Sequence, residues 1–242
     1  MIDIYGGKDP RNIPSYSAGD AARYLKIPAS TIRSWTVGRK YRVTEGKKRN
    51  KQFRPLIESK VTESKGKKYL LLTFINLVEI HVLRAIRQHQ RINLEKVRKA
   101  LDYINEELKI PHPLAHRKFY TDGVDLFVEY YSSLIDASQT RKTELTKTLN
   151  IQIQRIETDD SGLAIKLYPF TRKHEENNPR VVVIDPRIAF GKMTIAGTGI
   201  PTDIIIERFR AGDSHELLAY DYDCNIDKIK EVIRFENPLI AA

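Results

Sequence analysis

The sequence predicts a mainly α (α+β) protein in three parts. These are a winged helix-turn-helix over residues 1–110, a small mixed α/β section over about 117–172, and a three-helix module over 180–242. Three patterns predict this. Residues 17–25 and 29–37 carry helical apolar spacing on either side of Lys26-Ile27-Pro28. Two longer amphipathic stretches follow between residues 74 and 108. Three short apolar-periodic segments, each with a candidate cap (Thr202, Ser214, Asn225), close the chain.

Ser17 stands where a helix N-cap is wanted, and Asp20 three residues on completes a capping-box arrangement. Ala18, Ala21, Ala22 and Leu25 recur at helical spacing, and Lys26-Ile27-Pro28 breaks that helix. The second helix runs from about Ala29 to Val37 with Ile32 and Trp35 inward, and Gly38 ends it. Residues 39–73 are poor in helix signals. Arg39, Lys40, Arg42, Lys47, Lys48, Arg49, Lys51 and Arg54 crowd around Gly46, while Lys60, Lys65, Lys67 and Lys68 flank Gly66. The apolar pieces 41–43 and 69–72 are expected to pair as a hairpin wing with a cationic loop between them. Phe74, Leu77, Val78, His81, Val82, Ala85 and Ile86 then form a helical stripe. Asn93 caps the next helix, with Leu94, Val97, Leu101, Ile104 and Leu108 inward, and Pro111 and Pro113 stop it.

Past the prolines, residues 119–120, 126–131 and 134–137 read as short strands, with Asp122-Gly123 and Ser132-Ser133 as turns. Residues 140–156 read as helical or mixed. Asp159-Asp160-Ser161-Gly162 is a turn into the alternation at 163–170, and the polar run 172–179 reads as a linker. A strand at 181–184 is followed by an Asp185-Pro186 turn. Gly197 and Gly199 allow a tight turn, and Pro201 suits the first turn of a helix. Helices are expected over about 202–211, 214–220 and 226–235. Ile205, Ile206, Leu218, Ile229, Val232 and Phe235 are among the residues that would fill their core.

Charge divides the chain. Residues 1–120 hold 26 Lys/Arg and 11 Asp/Glu, a balance of +15, whereas residues 121–242 hold 15 and 20, a balance of −5. A basic front beside a mildly acidic back suggests one part for nucleic acid and another for protein contact. The lone Cys224 forms no internal disulfide and suits a reducing cytosol. Residues 1–11 do not read as a signal peptide, and no apolar run approaches the roughly 20 residues of a membrane helix. The expected location is cytoplasmic, at the nucleoid.

The chemistry lies in the first two helices. A helix-turn-helix needs a small residue at the crossing, which Ala21 or Ala22 supplies, and apolar anchors, which Leu25, Ile32 and Trp35 supply. Short polar side chains must then line the outer face of the second helix. Ser30, Thr31, Arg33 and Ser34 do so: Arg33 suits a phosphate or a guanine edge, and Ser30 and Thr31 suit phosphate. Ser17 joins them as a candidate contact, and so do Arg39, Lys40, Arg42, Lys47, Lys48, Arg49 and Lys51 of the cationic loop. The competing reading of each cation is a solvated side chain, and of Trp35 a core residue. Other motifs carry no chemistry. Gly191-Lys192-Met193-Thr194 lacks phosphate-loop spacing, Pro113 separates His112 from His116, His81 reads as a core histidine, and no nucleophile–base pair is visible. No enzyme activity, metal or cofactor is expected.

The run Tyr16-Ser17-Ala18-Gly19-Asp20-Ala21-Ala22-Arg23-Tyr24-Leu25, then Thr31-Ile32-Arg33-Ser34-Trp35, resembles the MerR-like winged helix-turn-helix, with Pro28 where a capping Ser often stands. Asn76-Leu77-Val78-Glu79-Ile80-His81-Val82-Leu83, Leu167-Tyr168-Pro169-Phe170, Ile184-Asp185-Pro186-Arg187-Ile188-Ala189-Phe190-Gly191 and Ala196-Gly197-Thr198-Gly199-Ile200-Pro201-Thr202 extend the likeness. Together they resemble VapB-type antitoxins that join such a helix-turn-helix to a C-terminal domain of unknown function 433. The resemblance implies a homodimeric antitoxin that neutralises a PIN-like ribonuclease toxin by blocking its acidic, metal-dependent active site. It also implies repression of the pair's own promoter through double-stranded DNA.

Two other readings compete. One is a stand-alone MerR-like transcriptional regulator with no toxin, expected if no acidic PIN-like open reading frame lies beside the gene. The other is a protein-interaction module that neutralises a toxin without reading DNA sequence.

Overall fold

A computed structural model describes residues 5–43, 49–64, 67–88, 94–172 and 178–236. For 39–43, 49–53, 62–64, 67–68 and 87–88 it gives the backbone course alone. The chain divides into two compact units, residues 1–164 and 165–242.

In the first unit β1 (Tyr16–Ser17) leads directly into α1 (Ala18–Leu25), and α2 (Ala29–Thr36) follows after Ile27-Pro28. The next four strands form two hairpins rather than one. β2 (Arg39–Val43) pairs with β3 (Arg49–Phe53), and β4 (Lys60–Ser64) pairs with β5 (Lys67–Leu72), all antiparallel. The end of β5 also takes up β1, with Tyr16 opposite Leu72. The expected pairing of 41–43 with 69–72 is therefore corrected. Each strand takes its nearest antiparallel neighbour, which closes a shorter loop.

α3 (Phe74–Gln88) is the post around which this unit is built. The stripe of Phe74, Leu77, Val78, His81, Val82, Ala85 and Ile86 is buried, but so are Ile75, Ile80 and Leu83 on the other sides. A helix buried on every side belongs in the middle of a core. α1 and α6 (Gln139–Ile153) pack against it, as do the single turns at Pro10–Asn12 and Pro113–Ala115. α4 (Leu94–Leu108) packs on α5 (Val124–Ile135). Asn93, the expected cap of α4, lies outside the described residues.

The short strands expected between residues 119 and 137 are absent. Phe119–Gly123 is a π-helical turn running straight into α5. Val124, Phe127, Val128 and Tyr131 are buried at helical spacing, so packing decides in favour of the helix over the β-propensity of these residues. Gly123 makes no turn. A Cβ there would lie 2.6 Å from Phe119 Cδ2 and 3.1 Å from Leu108 Cδ1, so glycine allows α4 and the π-turn to approach.

The second unit opens with β7 (Ala164–Leu167), which starts at the last residue of the first. β7, β8 (Val182–Ile184) and β9 (Met193–Ile195) are antiparallel neighbours; a short strand β6 (Ile156–Thr158) lies earlier in the chain. Gly197 (φ 86°) and Gly199 (φ 75°) turn the chain into α7 (Thr202–Arg210), followed by α8 (His215–Asp221) and α9 (Ile226–Glu236). These helices fall where the sequence puts them. Ile205, Ile206, Leu218, Ile229, Val232, Ile233 and Phe235 form their core. Ser214 caps α8 by accepting from the Leu217 amide, and Asn225 accepts from the Asp227 amide. Thr202 is not a cap: Pro201 holds that position, and the buried Thr202 hydroxyl donates to Glu236. Among the described residues no helix is long and apolar enough to cross a membrane.

Candidate nucleic-acid interface

The site begins with the ends of two eight-residue helices. At α1 the Ser17 hydroxyl accepts from the Asp20 amide (3.1 Å), and the Asp20 carboxylate accepts from the Ser17 amide (2.9 Å) and hydroxyl (2.7 Å). The expected capping box is complete, so the polar groups of Ser17 are already engaged. At the other end Lys26 turns left-handed (φ 53°), and Arg84 on α3 donates to the carbonyl of Leu25 at 3.1 Å.

α2 starts differently. Pro28 is its N-cap and offers no side-chain hydrogen bond; its carbonyl accepts from the amides of Thr31 (2.9 Å) and Ile32 (3.2 Å). The first amides of α2 thus have no capping side chain, which leaves the positive end of the helix dipole open to an anion. Ser30, Arg33, Ser34 and Val37 follow at i, i+3, i+4 and i+7 along one face. Ser30 and Arg33 are exposed, Ser34 and the neighbouring Thr31 half-buried, and Val37 is 45% exposed. On the opposite face Ile32, Trp35 and Thr36 are buried, so Trp35 is core.

A short loop holds the C-terminal end of α2. The amides of Leu56 and Ile57 donate to the carbonyl of Trp35 (2.6 and 3.1 Å), and the Ser59 hydroxyl donates to the carbonyl of Thr36 (2.8 Å). Arg98 on α4 donates to the carbonyls of Arg54 and Pro55 in the same loop. With its C-terminal end held in this way, α2 presents its outer face on a fixed support.

The β2–β3 hairpin lies where a wing would lie after a helix-turn-helix. It carries Arg39, Lys40 and Arg42 on one strand and Arg49 and Lys51 on the other, with Tyr41 opposite Lys51 and Arg42 opposite Asn50. Lys47 and Lys48 lie outside the described residues. The structure thus brings Ser30, Thr31, Arg33 and Ser34 together on one helix, sets Ser17 at the start of the other, and places five cations on one hairpin.

Sequence reading missed two parts of this site. Val37, seven residues past Ser30, is on the same face; its spacing was legible, but it was read only as a helix end. The support from residues 54–59 was not legible, because those bonds join segments about twenty to forty-four residues apart. Among the described residues no group of three His, Cys, Asp or Glu side chains is placed to hold a metal ion.

Residues 14–101 match the family model described as "Putative DNA-binding HTH domain", and residues 182–235 match "Protein of unknown function (DUF433)". Over 234 residues the chain is 23% identical to "Putative antitoxin VapB45" of Mycobacterium tuberculosis (strain ATCC 25618 / H37Rv), covering 92% of this chain and 93% of that protein. The fold is shared with the crystal structure of Rv2018 from Mycobacterium tuberculosis, with a TM-score of 0.69 and 22% identity over 92% of this chain and 98% of that one. The first match spans β1 to α4, and the second spans β8 to α9. A helix-turn-helix followed by a DUF433 segment is the arrangement the sequence resemblance describes.

Proposed function

We propose that this chain, built along its length like a VapB-type antitoxin, binds double-stranded DNA at its own promoter and neutralises a PIN-like ribonuclease toxin. The observation that carries the DNA reading is the open N-terminus of α2 beside the exposed face of Ser30, Arg33, Ser34 and Val37. A backbone phosphate fits the uncapped amides, with Ser30 and Thr31 beside it. Arg33 is the one long cation on that face and reads a guanine edge, and Val37 suits a thymine methyl. The β2–β3 hairpin supplies phosphate contacts as a MerR-like wing does. Two copies on a two-fold site would give useful affinity, since one recognition helix touches few bases.

The toxin contact belongs to residues 180–242. That unit holds no excess of positive charge and exposes Ile188 (39%), Phe190 (74%), Leu217 (44%) and Tyr220 (85%), as a protein-facing surface does. The likeness to an M. tuberculosis protein named as an antitoxin supports an antitoxin role.

The test is a fluorescence-anisotropy titration with the duplex immediately upstream of the gene and a scrambled control, at two salt concentrations. A preference of about a thousandfold or more supports the repressor. Equal binding of both duplexes, fading with salt, reduces the basic unit to a phosphate anchor and overturns sequence-specific repression. Deleting residues 180–242 should abolish toxin inhibition, and inhibition left intact overturns the assignment of that unit.

A further inference from the structure

The segment Asn76-Leu77-Val78-Glu79-Ile80-His81 stands out in the sequence, yet the DNA reading makes no use of it. Two of its polar residues are buried in the first unit, Asn76 at 2% exposure and Glu79 at 7%. Asn76 Oδ1 accepts from the Thr73 amide (3.1 Å). Its Nδ2 donates to the carbonyl of Glu58 (2.9 Å) and to Glu79 Oε2 (3.1 Å). The other carboxylate oxygen, Glu79 Oε1, accepts from His112 Nδ1 at 3.0 Å.

Glu58 is the centre of the loop that holds α2. Its neighbour on one side, Ile57, bonds the carbonyl of Trp35, and its neighbour on the other, Ser59, bonds the carbonyl of Thr36. An unbroken series of bonds therefore runs from the last turn of α2 through residues 57–59 to Asn76, Glu79 and His112. A buried carboxylate needs a compensating charge, or its bonds reorganise. His112 can supply that charge when protonated. Its side chain is 39% exposed, in a groove of about 570 Å³, where protons exchange with solvent.

We propose that Asn76, Glu79 and His112 are positioning residues for the DNA-reading helix, with the His112–Glu79 pair as the pH-sensitive end of the series. This rests on the reading of α2 as a DNA-contacting helix. The Glu79 carboxylate holds the His112 imidazole above its ordinary value, through the hydrogen bond first and against the opposing effect of burial; Glu58 adds to the rise. The remaining charged groups lining the groove are Arg54 in the loop and Arg98, Asp102 and Lys109 on and after α4, with the half-buried Tyr120 phenol near Glu79. A raised histidine contributes most while protonated, below about pH 6.5, and the contribution is lost as pH rises through the raised value.

Trp35 is the chain's single tryptophan, and it sits on the helix in question. Its emission reports the seating of α2 without DNA. The experiment follows Trp35 emission and own-promoter duplex affinity of the full chain from pH 6 to 8.5 at fixed salt, for the wild type, His112→Ala and Glu79→Gln. Melting curves at each pH identify any unfolded variant. In the wild type both readouts should titrate together, with affinity falling at least about fivefold towards pH 8.5. Both profiles should flatten in His112→Ala, and in Glu79→Gln wherever it folds. A wild-type slope retained in His112→Ala, in either readout, overturns the proposal. If Trp35 emission titrates and flattens as expected while no duplex is preferred at any pH, the positioning stands and the DNA reading is what fails.

Discussion

The two helices of the helix-turn-helix have equal length and opposite beginnings. α1 closes its N-terminus with its own side chains, Ser17 and Asp20, and buries Ala18, Ala21, Tyr24 and Leu25. α2 starts at a proline with no side chain to spare for its amides, yet its far end is held by three bonds from residues 56–59. Closure at the start marks a helix whose work is internal. Closure only at the far end leaves a helix with donors still to be used, fixed firmly enough to present them. Position in the motif and cap chemistry are thus both compatible with the proposed role of α2 as the DNA-contacting helix.

Substitutions can break or sharpen this contrast. The largest effect is expected at the buried face of α2. Trp35→Ala should cost about 3–5 kcal/mol of stability, read from urea midpoints, because a large side chain leaves a cavity at a site only 4% exposed. Arg33→Ala should leave stability within about 0.5 kcal/mol and cost about 1–3 kcal/mol of affinity for the promoter duplex, with relaxed preference at one base position. An unchanged titration would remove Arg33 from the interface. Ser17→Ala should lower stability by about 1 kcal/mol in the same urea experiment, with duplex preference retained, since the cap serves α1 itself. The last substitution is the most diagnostic. Ser30→Asp should stabilise by about 0.3–1 kcal/mol, as an acid in the first turn of an uncapped helix does, while weakening DNA binding. A variant that gained stability and kept its affinity would show that no phosphate approaches that end.

The sequence revealed those parts of the molecule that are set within a few residues. The Ser17–Asp20 box, the break at Pro28, the outer face from Ser30 to Ser34 and the caps at Ser214 and Asn225 are all local, and all are present. Strand pairing is not local, and Leu72 meets Tyr16 for reasons no short window contains. Residues 126–131 and 134–137 read as strands, the first rich in aromatic and β-branched residues, although Val124, Phe127, Val128 and Tyr131 have helical spacing. Of the candidate site, the outer face of α2 was legible and its support was not. The bonds from Glu58 to Asn76 and from Glu79 to His112 cross 18 and 33 positions of sequence.

The burial of α3 on every side has a consequence for synthesis. Its His81 Nε2 meets the carbonyl of Gln152 at 3.0 Å, and α6 covers the flank that β5 and α1 leave open. A nascent chain that has just released α3 from the ribosome still lacks that cover. About 65 more residues must emerge before α6 arrives, roughly three to thirteen seconds at ordinary elongation rates. Until then the central helix α3 stands partly in water, and the outer face of α2 rests on an unfinished support. The interval is a window for chaperone capture or proteolysis. The supply of DNA-competent protein thus depends on how fast ribosomes cross the codons that follow α3.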